Sequence, residues 1–334
     1  MKTFKIPIIA SLVIILIAGS VGMLANSYIQ LILLFLFVNS IMGMSLNLIN
    51  GYTGQFSLGH AGFIAIGAYF TSMVSTGIPF PSGLGALPVA GLITIGSGLV
   101  AGLVGYFVGL PSLRLKGDYL AIVTLGFGEI IRVSLNNISF FGGAIGISNI
   151  PSLPELNFGG FIIDRFLVAL IFATFWAVTC FFFIWRLLNS SPGRGFLSVR
   201  EDEIAAEAMG INTTKMKVQA FVISSFFAGV AGSLYAYFTN YVSPASFTFL
   251  MSIDAVIMVV LGGMGSMTGC LASAFFITLL PEILRSLKDY TYGIDLRMVI
   301  YSLALILIMI LRPQGLFGEK EIFHHWRKND KSTT

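Results

Sequence analysis

Ser198-Val-Arg-Glu-Asp-Glu-Ile-Ala-Ala-Glu-Ala-Met-Gly210 is a polar stretch in a chain that is otherwise mostly apolar. Ser198 followed three residues later by Glu201 predicts a capping box, in which each side chain satisfies a free backbone N–H at a helix start. Acidic residues crowd the first turns, where the helix dipole favours negative charge. Gly210 stands where a left-handed C-cap would end the helix. The result is a helix of about three turns, too short to cross a bilayer. It is charged over most of its circumference and lies between two long apolar segments. It reads either as a solvated loop helix or as a docking helix for a soluble partner, and its flanks decide between them.

Those flanks belong to a membrane protein. Of 334 residues, 56% are hydrophobic and 10% charged, and the mean hydropathy is +0.90. A soluble domain carries about 25% charged residues, so this chain could not cover a water-facing surface. The apolar runs are continuous rather than alternating, which implies helices and not a β-barrel. Cys180 and Cys270 sit inside apolar runs and read as buried packing residues, not as a disulfide framework or metal cluster. The pI near 9.0 reflects lysine and arginine at the membrane edges, not a nucleic-acid-binding stripe.

Read in order, the chain gives an apolar run at 6–25, favoured as a retained first span over a cleaved signal peptide. A second run at 29–49 holds Asn39, Ser40, Ser45 and Asn47, polar groups that must find partners within the protein. Next comes Asn50-Gly-Tyr-Thr-Gly-Gln-Phe-Ser-Leu-Gly-His-Ala-Gly62, whose glycines break a helix or let backbones approach closely. Its polar residues Gln55, Ser57 and His60 would line a path if a broken helix opened there. The alternative for His60 is tight packing around a hydrogen-bonded imidazole. An uncharged turn at 77–85 leads to a span at 86–110, where Gly98-x-x-x-Gly102 and Gly105-x-x-x-Gly109 mark a face for close helix contact. A basic loop at 111–118 precedes a span at 119–133 carrying Glu129 and Arg132, which share a helix face. They form a neutralised pair near the interface or a functional intramembrane group. A loop at 136–164, a span at 166–188, the polar segment at 189–217 and a span at 218–241 follow, the last with Gly229, Gly232 and Ser233 as small packing residues.

The N-terminus, the loop around Arg114 and Lys116, the segment Arg186–Lys217 and the C-terminal tail from Arg312 hold 14 of the 19 lysines and arginines. Positive residues gather in cytoplasmic loops, so these segments are expected on the cytoplasmic side. The region 251–284 would be about 50 Å long as one straight helix, too long for a single crossing. Gly262-Gly-Met-Gly-Ser-Met-Thr-Gly269 interrupts it. Two half-spans or two short tilted spans meeting at that break satisfy the parity of the topology. Asp254 opens the unit, either stabilising a helix N-terminus or standing along a path. The glycine breaks near 51–62 and 262–269 fall in the two halves of the chain and hint at an internal repeat. The last span covers 298–311, and the tail at 319–334 reads as polar and loosely ordered.

The fold expected is therefore all-α: a polytopic transmembrane bundle with broken or re-entrant helices over 1–318, read as a permeation unit, and a short polar helix on the cytoplasmic side within 189–217. There is no Walker A loop, no dinucleotide-binding glycine fingerprint and no zinc or nucleophile-elbow motif. No catalytic residue, cofactor or metal is expected. A stand-alone channel or secondary transporter would need an ion site or relay in the spans, and only Glu129, Arg132 and Asp254 offer themselves.

Several stretches together carry a resemblance. Asn50-Gly-Tyr-Thr-Gly-Gln-Phe-Ser-Leu-Gly-His-Ala-Gly-Phe63 and Gly117-Asp-Tyr-Leu-Ala-Ile-Val-Thr-Leu-Gly-Phe-Gly-Glu-Ile-Ile-Arg132 look like signatures of LivM-type permeases of branched-chain amino-acid ABC transporters. Glu203-Ile-Ala-Ala-Glu-Ala-Met-Gly210 resembles that family's coupling loop, and Val259-Val-Leu-Gly-Gly-Met-Gly-Ser266 and Arg312-Pro-Gln-Gly-Leu-Phe-Gly318 its C-terminal pattern. Asp254 departs from it, standing where a glutamate is associated with the family. The resemblance implies an importer of the bacterial inner membrane: this subunit, a LivH-type permease, two cytoplasmic ATPase subunits and an extracytoplasmic solute-binding protein. It makes the short helix within 189–217 a coupling helix and implies that Arg200, Glu203, Glu207, Ala208 and Gly210 couple to the ATPases. Asn47, Gln55, Ser57, His60, Glu129 and Asp254 are the candidate path residues. The cargo expected is a branched-chain or related hydrophobic amino acid, with urea, short amides and other amino acids open on the same scaffold.

Overall fold

The computed structural model describes residues 22, 26–81, 83–112, 115, 117–158 and 161–286, together with scattered positions between 300 and 318. The first expected span, most of the last one and the C-terminal tail lie outside the described residues. Ten α-helices follow in order among the described residues: α1 (Ser27–Asn50), α2 (His60–Gly77), α3 (Ala86–Ser112), α4 (Asp118–Asn137), α5 (Arg165–Leu188), α6 (Ser191–Glu201), α7 (Glu203–Ala208), α8 (Thr213–Thr239), α9 (Phe249–Gly262) and α10 (Met267–Ile283). Among the described residues, five helical segments are long and apolar enough to cross a membrane: those of α1, α3, α5 and α8, and α9 with the turn before it. The segment 136–164, expected as loop, also holds a small antiparallel hairpin, β1 (Leu156–Phe158) with β2 (Phe161–Ile163).

The bundle closes around α8. Its apolar window is 78% buried, against 39% for α3, so α8 is the central helix and α3 a peripheral one. Small residues make this possible. A β-carbon at Gly229 would stand 2.7 Å from the Ser97 carbonyl of α3, and one at Gly232 would stand 2.0 Å from the Ile64 carbonyl of α2. Gly98, Gly102, Gly105 and Gly109, the face expected to pack closely, all abut α8 side chains or backbone between Phe221 and Phe226. Lipid tails are as apolar as leucine, so helix association in a bilayer relies on such close packing and on interhelical hydrogen bonds. The bonds are present: Thr94 and Ser233 hydroxyls lie 3.0 Å apart, Ser97 Oγ donates to the Gly229 carbonyl, and Ser224 Oγ donates to the Ser45 carbonyl of α1.

The region 251–284 is two antiparallel helices, as parity required. Fourteen residues of α9 and seventeen of α10 reach about 21 and 26 Å at the usual helical rise, each short of the hydrocarbon core of about 30 Å. Gly262 and Gly269 touch backbone to backbone, and Ser273 Oγ donates to the Met258 carbonyl across the hairpin. One expectation changes. The first helix begins at Phe249 with Thr248 at its boundary, so Asp254 lies past the first turn, where the dipole no longer acts on it.

Candidate functional site

The polar segment folds as two helices, not one. α6 starts upstream at Ser191 with Pro192 in its first turn, where a missing N–H costs nothing. Ser198 is therefore interior, and its hydroxyl donates back to the Arg194 carbonyl instead of capping. The cap is Asp202. Its backbone is extended, and its Oδ1 accepts from the Ile204 and Ala205 N–H groups at 2.8 and 3.0 Å. An ionised acceptor satisfies two free donors at once and agrees with the dipole, so the break falls there and the expected Ser198–Glu201 box does not form. Gly210 does end the unit, at φ +82°. Ile211 N–H donates to the Ala206 carbonyl and Gly210 N–H to the Glu207 carbonyl, which is a Schellman closure.

Phe196, Val199 and Ala206 turn inward and are buried. Glu203 and Glu207 share a face, as their spacing predicts, and that face meets α8. Lys217 Nζ donates to Glu203, and Thr213 Oγ1 donates to Glu207 Oε1 at 2.6 Å. Apart from the exposed Glu207, the outward side of α7 and its C-cap is apolar: Ile204 is 75% and Met209 82% exposed, with Ala205 and Ala208 beside them. On a 3.6-residue wheel Ile204 and Met209 flank Ala205 and Ala208 on the side away from Glu203, and that arc is the signal the sequence carries for an outward apolar face.

Arg200 also points inward. Its stem lies against Gly54, where a β-carbon would be 3.4 Å from Cγ, and its guanidinium lies over Gly265, where a β-carbon would be 2.7 Å from Nη1. Three glycine turns meet at this end of the bundle. A β-carbon at Gly51 would stand 2.4 Å from the Gly265 nitrogen, and one at Gly315 would stand 2.5 Å from Gly263. Asn47 ties the first two turns together: Nδ2 donates to the Ser266 carbonyl and Oδ1 accepts from Gly265 N–H. Leu316 N–H closes the third turn onto the Leu261 carbonyl. The glycine breaks that looked like distant counterparts are in contact.

The remaining candidates fall in different places. Gln55 is buried at this same end, beside a small cavity it shares with Gly54, Gly117, Arg200, Glu203 and Lys217, and neither amide atom meets a protein partner. Ser57 N–H donates to Asn50 Oδ1. His60 is buried, with Nε2 2.9 Å from Ser45 Oγ. Next to it, Ala61 N–H donates to Ser252 Oγ of α9, a donor that Gly59, lacking a side chain, cannot satisfy. Glu129 pairs with Arg132 at 2.7 Å, both about one-third exposed. Asp254 borders a separate cavity of about 310 Å³ between α1, α9 and α10, away from the glycine turns.

Fold and site together define a multi-pass helical membrane protein with a folded polar segment seated on one end of its bundle. The chain belongs to the branched-chain amino acid transport system / permease component family, whose model matches residues 28–311, and is thus a transport subunit rather than an enzyme. It is 39% identical over 300 residues to the high-affinity branched-chain amino acid transport system permease protein LivM of Salmonella typhimurium, covering 83% of this chain and 67% of that one. LivM of Escherichia coli matches to the same extent. The LivH permease of Escherichia coli is 24% identical over 301 residues, covering 85% of this chain and 92% of its own. No solved structure matches.

Proposed function

We propose that this permease moves branched-chain amino acids inward through the bacterial cytoplasmic membrane as one half of a permease pair. A LivH-type subunit is the other half. Two cytoplasmic ATPase subunits drive the pair, and an extracytoplasmic solute-binding protein delivers the cargo. Residues 1–318 form the permease domain, with 189–217 and the tail at 319–334 on the cytoplasmic side. The observation that carries this reading is the seat of the polar segment. α6 and α7 present Ile204, Ala208 and Met209 outward and insert Arg200 inward between the glycine turns. An ATPase that grips the outer face moves α7, and Arg200 transmits the shift to the break between α9 and α10. Glu203 and Glu207 hold α7 to α8, and the Gly210 turn closes it. In this reading Asn47, Gln55 and Ser57 belong to the moving glycine end, while Asp254 stands on the path.

The relatives named for branched-chain transport support the cargo. Gentle purification of the tagged chain from its own membranes, with mass spectrometry of what accompanies it, tests the assembly. A nucleotide-binding subunit and a second permease are expected, and the recovered complex should import labelled leucine when ATP is supplied. A chain that comes out alone and moves solute without ATP would overturn the reading. Uptake of urea or a short amide in place of leucine would change the cargo and keep the machine.

A further inference from the structure

The cavity of about 310 Å³ between α1, α9 and α10 is at the lower end of the size range of small-molecule sites, about 300–1,000 Å³. Its walls are sorted by chemistry. Phe35, Tyr235 and Met251 are half-buried, largely apolar side chains on its lining, backed by the fully buried Val38, Met42 and Met258, whereas Asn39, Ser246, Thr248 and Asp254 are polar. Asn39 is held in place by its Nδ2 bond to Thr278 Oγ1 at 2.9 Å. Thr248 stands at the start of α9, and its hydroxyl makes no capping bond. Asp254 is exposed on the surface of the chain. A carboxylate within a spanning unit does not face lipid; such groups turn to a bundle interior or a water-filled cavity. The open side of this cavity therefore faces water or a second subunit.

Resting on the proposed amino-acid import, we infer that this cavity is a selectivity site of the permease itself. Asp254 receives the α-ammonium of the cargo, and Phe35, Tyr235 and Met251 receive its aliphatic side chain. The charge-assisted bond fixes one end of the ligand. The apolar wall favours a branched hydrocarbon over a polar side chain. Selection is then shared between the binding protein and this subunit.

The test is uptake by the complete importer in proteoliposomes, with ATP and the binding protein supplied, comparing wild type, Asp254→Asn and Asp254→Glu. Asp254→Asn is expected to lower leucine uptake at least ten-fold while the ATPases still co-purify, and Asp254→Glu to keep most of it. Wild-type leucine uptake with an unchanged Asp254→Asn rate overturns the inference alone. A wild-type importer that moves no leucine overturns the amino-acid reading and the inference together. If Asp254→Asn does not assemble, Leu250→Trp, at an exposed residue bordering the same cavity, takes its place. It should reduce leucine uptake several-fold more than alanine uptake, and equal reduction of both overturns the site.

Discussion

The guanidinium of Arg200 lies over Gly265, so close that a β-carbon there would stand 2.7 Å from Nη1. Gly265 holds φ at +86°, where an L-residue pays about 1–2 kcal/mol. Gly265→Ala therefore meets two penalties, a strained backbone and a displaced arginine. The expected outcome is at least a ten-fold fall in ATP-driven leucine uptake with little change in the amount of chain in the membrane. Uptake and membrane abundance measured together check it. Wild-type uptake would mean that the guanidinium moves aside freely and transmits nothing.

α7 has six residues, too few to persist as an isolated helix. The Lys217–Glu203 pair is one of its ties to α8, and the Lys217 side chain is only 9% exposed. Lys217→Met keeps the stem and removes the ammonium. Losing a partly buried charged hydrogen bond costs about 1–3 kcal/mol, which should fall on α7 rather than on the whole bundle. Amide hydrogen exchange across 203–208 should speed up roughly ten-fold or more, with the amides of α8 at 224–236 unchanged. Equal protection in variant and wild type would show that Ala206 and the Glu207–Thr213 bond suffice.

The helices of this fold were legible because continuous apolar runs leave no other option in a bilayer. The turn at Gly210 and the hairpin at 262–269 were legible for a related reason: a chain of fixed rise and fixed thickness must break somewhere, and glycine marks the place. The cap at Asp202 was not. Ser198 and Asp202 are both good caps, and the choice depends on where α6 begins, which Phe196 and Val199 settle by burying themselves against the bundle. The contact of Gly51 with Gly265 was also hidden, since the two are 214 residues apart and no local pattern joins them. Direction was the other blind spot. Spacing put Glu203 and Glu207 on one face, but only tertiary packing determines that the face meets Lys217 and Thr213.

That direction yields a prediction about the outer face. Ile204 and Met209 are large apolar side chains held in the open at a polar end of the molecule, and such patches mark contact sites. Ile204→Lys and Met209→Lys touch nothing within the subunit core, so folding should be unaffected. Each should reduce co-purification of the ATPase subunits several-fold, and the pair should abolish it. Pull-down from solubilised membranes, quantified against the partner permease, is the measurement. Full recovery of the ATPases with the double variant would place the contact elsewhere on 189–217.

His60 separates two roles that spacing alone left together. Ser45 Oγ lies 3.0 Å from the Met42 carbonyl and 2.9 Å from His60 Nε2, so the hydroxyl and the imidazole are joined by a hydrogen bond whose direction follows the histidine tautomer. That bond joins α1 to α2 beside the Ser224–Ser45 bond that joins α1 to α8. A packing role predicts that His60→Ala costs about 1–3 kcal/mol, lowers the melting temperature of the solubilised complex by a few degrees, and leaves the ratio of leucine to alanine uptake unchanged. His60→Gln, which keeps a donor, should recover part of the loss. A path role predicts the reverse, with melting intact and the uptake ratio altered. With His60 only 1% exposed and its ring bonded to Ser45, the first outcome is the one expected. The proposed path then rests on Asp254, which borders the cavity between α1, α9 and α10.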